Sequence, residues 1–336
     1  MKVPFPLLLA LLLPAVPAFA TVTVTSPANG AKVVSPFGLV ATASPCSSQP
    51  IAAMGYSLDS SAATTIIYNT SVDAQVSAPA GAHTLHVKAW GNQGASCVTD
   101  VAIMAVASPT ASVPSDARVT VAVQGLTNWQ GVYDSGTGAG SSSGTMRLVS
   151  SPSLSGSARQ FVTSWSNYGG ERYFVSFGAD TAATNFLYDG WVYLASPSSG
   201  IANLEMDMNQ VMANGQTVIY GFQCDGYSGT WDYTANTGNP QNFYDQWLHS
   251  NAPCNVQNWP VNTWHHVQIA WSRDSAGNVT YRSVWLDNVE QDLNVTVNSA
   301  FALGWGSTLL TNFQVDGRGT SGSATAYLDK LTIYRW

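Results

Sequence analysis

Charge is what this chain has least of. Asp, Glu, Lys and Arg make up 9% of its 336 residues, where an average globular chain has roughly a quarter. The formal balance is −7, with 12 Lys and Arg against 19 Asp and Glu. That excludes the usual recognition of nucleic acids or anionic membrane surfaces, because neither polyanion is steered toward an acidic protein. Helical periodicity is also missing, as is any long apolar run beyond the start of the chain. The one such run, Pro4 to Pro17, is short and proline-broken, so it does not suit a permanent membrane span. It leads into Ala18-Phe19-Ala20, a small-x-small cleavage pattern, and the two together predict a signal peptide over residues 1–20 and a secreted, extracellular chain beginning near Thr21. No cysteine adjoins that point, so no lipid anchor is expected there.

Cysteine is scarce too. Four residues, Cys46, Cys97, Cys224 and Cys254, have no zinc or thioredoxin spacing, and in an exported chain they imply disulfides. Of three possible pairings, Cys46–Cys97 with Cys224–Cys254 keeps each bridge inside one of the domains argued next. What the chain does have is 45% apolar residues, much Gly, Ser, Thr and Asn, and 12 Trp. Most of the tryptophans are expected in the core. Sugars lie their C–H faces on exposed aromatic rings and bond their hydroxyls to Asn, Gln and Asp, so the composition suits a neutral polysaccharide partner.

Short runs of β-branched and aromatic residues, broken by Gly, Pro, Asn and Ser, predict an all-β chain. Strands are expected over Thr21–Ser26, near Lys32, and over Leu39–Ala43, Ile51–Leu58, Thr64–Tyr68, His83–Trp90 and Val98–Val106. That count suits a β-sandwich of immunoglobulin type over residues 21–107. VTVTSPANGA (Val22–Ala31), PAGAHTL (Pro79–Leu85) and VKAW (Val87–Trp90) resemble bacterial Ig-like modules, which usually serve as spacers or adhesion units. SPTASVPSDA then reads as a semi-stiff linker, residues 108–118, before a larger domain at 119–336.

In that larger domain Asn262–Ile269 (NTWHHVQI) followed by Ser283–Asn288 (SVWLDN) resembles the hairpin of concanavalin A-like and laminin G-like jelly rolls. Ala326–Tyr334 (AYLDKLTIY) resembles their closing strand, and Ser151–Ala158 their opening one. His265 and His266 are therefore read as part of this fold signature. A concanavalin A-like jelly-roll β-sandwich is the fold implied, and a monomer is expected.

Leu204–Gln210 (LEMDMNQ) alternates. As a strand it sends Leu204, Met206 and Met208 to the core and Glu205, Asp207 and Asn209 to the opposite face. The segment distantly resembles the Glu-x-Asp-x-Glu strand of lichenase- and laminarinase-type glycoside hydrolases. The resemblance implies Glu205 as nucleophile and Asp207 as its helper, but Asn209 or Gln210 occupies the acid's place, and an amide cannot protonate a leaving oxygen.

Three readings follow. In the first, the cleft binds a polysaccharide without cutting it, through Asn209, Gln210, Tyr227, Trp191 and an exposed platform at Trp231. In the second, an endo-β-glucanase-like hydrolase draws its acid from Asp225 or Asp232. In the third, a structural or adhesion protein of the cell exterior pairs Glu205 and Asp207 with Arg172 or Arg273. No metal-ligand motif is present and no cofactor is expected, although carboxylates near Asp316 or Asp329 could serve a structural calcium.

Overall fold

The computed structural model describes residues 21–47, 49–134 and 140–336, and the expected signal peptide lies outside them. All-β architecture is what it shows: every long element is a strand, and the helical pieces are short 3-10 turns. No helix among the described residues is long and apolar enough to cross a membrane.

The chain forms two compact units, one of residues up to Gly30, Gly38–Ala78 and Ala82–Ile103, the other of Ala31–Phe37, Pro79–Gly81 and Met104–Trp336. In the first, strands Val22–Ser26, Phe37–Ala43 and Ser71–Val76 make a three-stranded sheet, while Ser96–Val106, Gly81–Gly91, Ile51–Leu58 and Thr65–Ile67 are neighbours in a second. The Ser71–Val76 strand was not expected from the sequence, because only Val72 and Val76 point inward and Asp73 and Gln75 hide the pattern. The Cys46–Cys97 bridge closes here, with Cα atoms 6.1 Å apart, and Cys224–Cys254 closes in the larger unit at 5.3 Å.

The larger unit is a sandwich of two antiparallel sheets. One runs Ser141–Val149, Ala158–Ser166, Ser321–Arg335, Asn185–Leu194, Trp264–Arg273, Asn278–Leu286, Val289–Asn298, and holds the Trp264 hairpin and the closing strand, whereas the expected opening strand over Ser151–Ala158 is a bend between the first two strands, broken by Pro152 and Gly156. His265 bonds to Asp287 and to the Pro260 carbonyl, at 2.8 and 2.9 Å, which fastens the hairpin rather than a ligand. The other sheet runs Asp245–Pro253, Thr230–Asn236, Phe222–Asp225, Ile201–Glu205 and Leu309–Gly317, then continues to Gly170–Ser176 and Gln130–Asp134. Met208–Val211 and Thr217–Tyr220 extend the lines of Ile201–Glu205 and Phe222–Asp225 past short breaks.

Between the sheets lies one aromatic core. Phe161, Tyr173, Tyr188, Tyr220, Phe222, Trp231, Trp271, Tyr281 and Phe313 are all fully buried there. Rings this large bury 150–250 Å² each, and their area supplies most of the drive for closing the sandwich.

Candidate functional site

Alternation decides what the second sheet shows to the outside. Leu204, Met206 and Met208 join the core, so Glu205, Asp207 and Asn209 take the other face, as the period of two predicts. Cross-strand register then assembles a polar row across the sheet. His249 faces Asp232, Asp232 faces Gln223, Gln223 faces Glu205, Glu205 faces Gln314, and Gln314 faces Arg172. A second row brings Asp225, Asn203 and Asp316 together, and a third aligns Asp207 with Asn312 through paired backbone bonds. Neighbouring strands lie about 4.8 Å apart, so each row is a line of groups at the spacing of adjacent strands.

Glu205, Asp207 and Asp316 form its acidic centre. Gln314 Nε2 donates to Glu205 Oε1 at 2.8 Å and to both Asp316 oxygens at 3.1 and 3.2 Å. Glu205, Asp207 and Asp316 lie close enough to influence one another's protons. Burial pushes the Glu205 carboxyl well above the usual range, and its acidic neighbours Asp207, Asp316 and Asp134 add to the effect. Burial likewise lifts Asp207 and Asp316 to about 7. The chain accommodates Asp316 by placing Gly170 opposite it, where a Cβ would collide with its Oδ1. Asp207 has a structural duty as well: the strand breaks at Met206-Asp207, and its Oδ1 accepts the Phe222 N–H at 2.7 Å.

Beyond this centre the face opens into a pocket of about 400 Å³, lined by Arg172, Phe174, Asn209, Trp305, Gly306, Thr308, Leu310 and Asn312. Trp305 is 42% exposed and sits between two glycines in the 302–308 loop, where Gly304 has φ +72°. The loop is tied at both ends, Ala302 N donating to the Pro240 carbonyl and Val211 N to that of Thr308. Asn209 is only 4% exposed, and its Oδ1 has no hydrogen-bond partner. A buried acceptor left empty costs about 1–3 kcal/mol, which a hydroxyl of a bound molecule would recover.

Several sequence expectations need correction. Trp231 is not a platform: it is fully buried, stacked on Phe222 at 5.1 Å between ring centroids, because it lies in the Thr230–Asn236 strand and shares the inward parity of Tyr233. Gln210 is not on the cleft floor either. It shares the inward parity of Met208, giving Nε2 to the Asp180 and Ala183 carbonyls and accepting from Tyr220 and Arg273. Arg273 therefore serves Gln210, not Glu205 or Asp207. Trp191 belongs to the opposite sheet and stacks flat on His266 at 4.5 Å.

Asp225 and Asp232 lie on the same polar face as Glu205, Asp232 two strands away in the row that runs through Gln223. Asp225 accepts the N–H groups of Tyr227 and Ser228, and Asp232 accepts from Ser228 and Thr230 and pairs with His249 at 2.9 Å. With His249 these two offer ligand atoms within 4.8 Å of one another, the arrangement among the described residues that could hold a cation. Asp329, the other calcium expectation, is filled by Gln124, Ser153, Leu154 and Ser155 donors. Tyr227 is 56% exposed at the end of the face, under the Arg318 guanidinium.

Sequence reasoning missed Asn312, Gln314, Asp316 and Trp305 as partners of the site. Asn312-Phe313-Gln314-Val315-Asp316 carries the same alternation as the Glu205 strand, and Gly304-Trp305-Gly306 marks an aromatic on a flexible turn. Both signals were there to be used.

No protein-family model matches the chain, and no curated protein does. Among solved structures, one reported as "Structural basis for the promiscuous specificity of the carbohydrate-binding modules from the beta-sandwich super family" is similar at 11% identity and TM-score 0.34, over 93% of this chain and 97% of that one. The family 11 carbohydrate-binding module from Clostridium thermocellum, in complex with a β-1,3-1,4-mixed-linked tetrasaccharide, is similar at 11% identity and TM-score 0.31, over 65% of this chain and 94% of that one. Family 7 alginate lyase A1-II' is similar at 16% identity and TM-score 0.28, over 54% and 79%. Likenesses at these TM-scores carry no argument, and the functional reading rests on the geometry above.

Proposed function

We propose that the larger unit binds a polysaccharide along the polar face of its second sheet, with Trp305 as the aromatic platform and Asn209, Asn312, Gln314 and Glu205 as hydrogen-bonding groups, in a protein that works outside the cell. The observation that carries this reading is the pocket of about 400 Å³ that the exposed Trp305 lines together with Arg172, Asn209, Thr308 and Asn312. An apolar plate next to polar groups is what a pyranose ring, apolar on its faces and polar at its rim, requires.

Binding without cleavage is favoured over hydrolysis because amides, Asn209 and Gln210, stand where the resembled hydrolase strand carries its acid, and an amide cannot protonate a leaving oxygen. Two-carboxyl glycoside hydrolysis uses groups about 5–5.5 Å apart for retention and about 6.5–9.5 Å for inversion. Gln314 Nε2 instead ties the Glu205 and Asp316 carboxyls together on the sheet face. A panel of insoluble and soluble polysaccharides, assayed in parallel for retention of the protein and for new reducing ends, tests the reading. Retention without new ends is expected. New ends that disappear in Glu205→Gln would make the protein a hydrolase, and no retention on any polymer would leave the structural reading.

A further inference from the structure

The neutral polymer expected from overall composition does not fit the charge inside the pocket. Its lining is one Arg, two Asn, one Thr and four residues without side-chain polar groups apart from the Trp305 indole N–H. In a chain of net charge −7, the charge that lines this pocket is positive. Arg172 is held there by register, its strand Gly170–Ser176 lying against Leu309–Gly317 with Arg172 opposite Gln314. It is exposed, and it enters none of the ion pairs formed among the described residues, although Arg118, Arg335, Lys32 and five histidines all do.

Building on the polysaccharide reading above, we propose that this pocket is a subsite for an acidic sugar residue, whose ring lies on Trp305 and whose carboxylate is taken by the Arg172 guanidinium. The planar fork of an arginine matches a carboxylate bidentately, which a neutral hydroxymethyl group cannot exploit. Asn312 Nδ2 reaches Asp207 at 3.5 Å, a long bond that leaves its donor capacity largely available. The Asn312 amide then serves a ring hydroxyl, giving one pocket a site for each kind of group on a uronic acid. Deprotonated carboxylates on the neighbouring centre would repel such a ligand. Burial raises all three carboxyls above their usual range, Asp207 and Asp316 to about 7, and this weakens the repulsion where ordinary carboxylates would be fully charged.

The test compares matched hexasaccharides that differ at C6: β-1,4-linked glucose against glucuronate, and β-1,4-linked mannose against mannuronate, by titration calorimetry on the full chain at pH 6 and two salt concentrations. In the pair that binds, the acidic member should bind about tenfold more tightly and lose part of that advantage in high salt. Arg172→Gln should bring the two members level by weakening the acidic one far more than the neutral one, and Arg172→Lys should restore part of the preference. Equal binding of both members by the native protein, or equal weakening of both by Arg172→Gln, would overturn the acidic subsite and leave polysaccharide binding standing. No binding of any of the four sugars, with no retention on the polymer panel, would sink both.

Discussion

Two parts of one sheet face carry different polar groups. Around Glu205 the carboxyls are bonded to other parts of the chain, to Gln314 or to Phe222 N–H. Around Trp305, three or so residues along the same strands, Asn209 keeps an empty acceptor, Arg172 has no ion pair among the described residues, and the indole stands open to solvent. Buried polar groups are normally satisfied, so an exception beside a cavity points to a ligand. The two regions differ in charge more than in satisfaction, since Gln314 Oε1 at the acidic centre is without a partner as Asn209 Oδ1 is, and it is the exposed indole and the exposed Arg172 that set the pocket apart.

The sharpest way to break this comparison is to treat the two tryptophans as interchangeable. Trp231→Ala removes a fully buried ring stacked on Phe222 and should cost about 3–5 kcal/mol of stability by chemical denaturation. A loss under about 1 kcal/mol would mean that Trp231 is not a core residue.

A second sharpening uses pH. Asp207 and Asp316, lifted to about 7 by burial, hold their protons more tightly in the folded chain than in the unfolded one. Their stabilising effect is complete below the unfolded pKa near 4 and is lost as pH rises through about 7. Melting temperature should therefore fall between pH 5 and 8, and Asp316→Asn should flatten that fall. An unchanged slope in Asp316→Asn would show that the carboxyl centre is not strained by charge.

Smallest in effect is Asn209→Ala. Because its Oδ1 has no protein partner, folding should lose almost nothing, whereas glycan binding should weaken by about 0.5–1.5 kcal/mol, one hydrogen bond's worth. Destabilisation without loss of binding would assign Asn209 to the scaffold.

The fold was readable because period-two alternation survives in nearly every strand. Leu204, Met206 and Met208 turn inward as their spacing requires, and the two disulfides form as the two-domain reading pairs them. The site was readable only along single strands. Glu205, Asp207 and Asn209 were found together because they are neighbours in sequence, but Gln314 and Asp316 meet them through pairing across more than a hundred residues, and no local pattern specifies that register. Trp231 was misjudged because Gly229 and Asp232 give it the look of a loop, while Phe222, the ring that buries it, lies on the neighbouring strand.

The central claim is that the polar face beside Trp305, and not the opposite sheet, holds the polysaccharide. Native affinity electrophoresis through gels containing the retaining polymer measures it directly, comparing the native chain with Trp305→Ala and with Trp191→Ala, whose ring stacks on His266 in the other sheet. Trp305→Ala should lose about 1–3 kcal/mol of binding and run nearly unretarded, while Trp191→Ala runs as the native chain does. Retardation kept in Trp305→Ala and lost in Trp191→Ala would place the ligand on the wrong face for everything argued here.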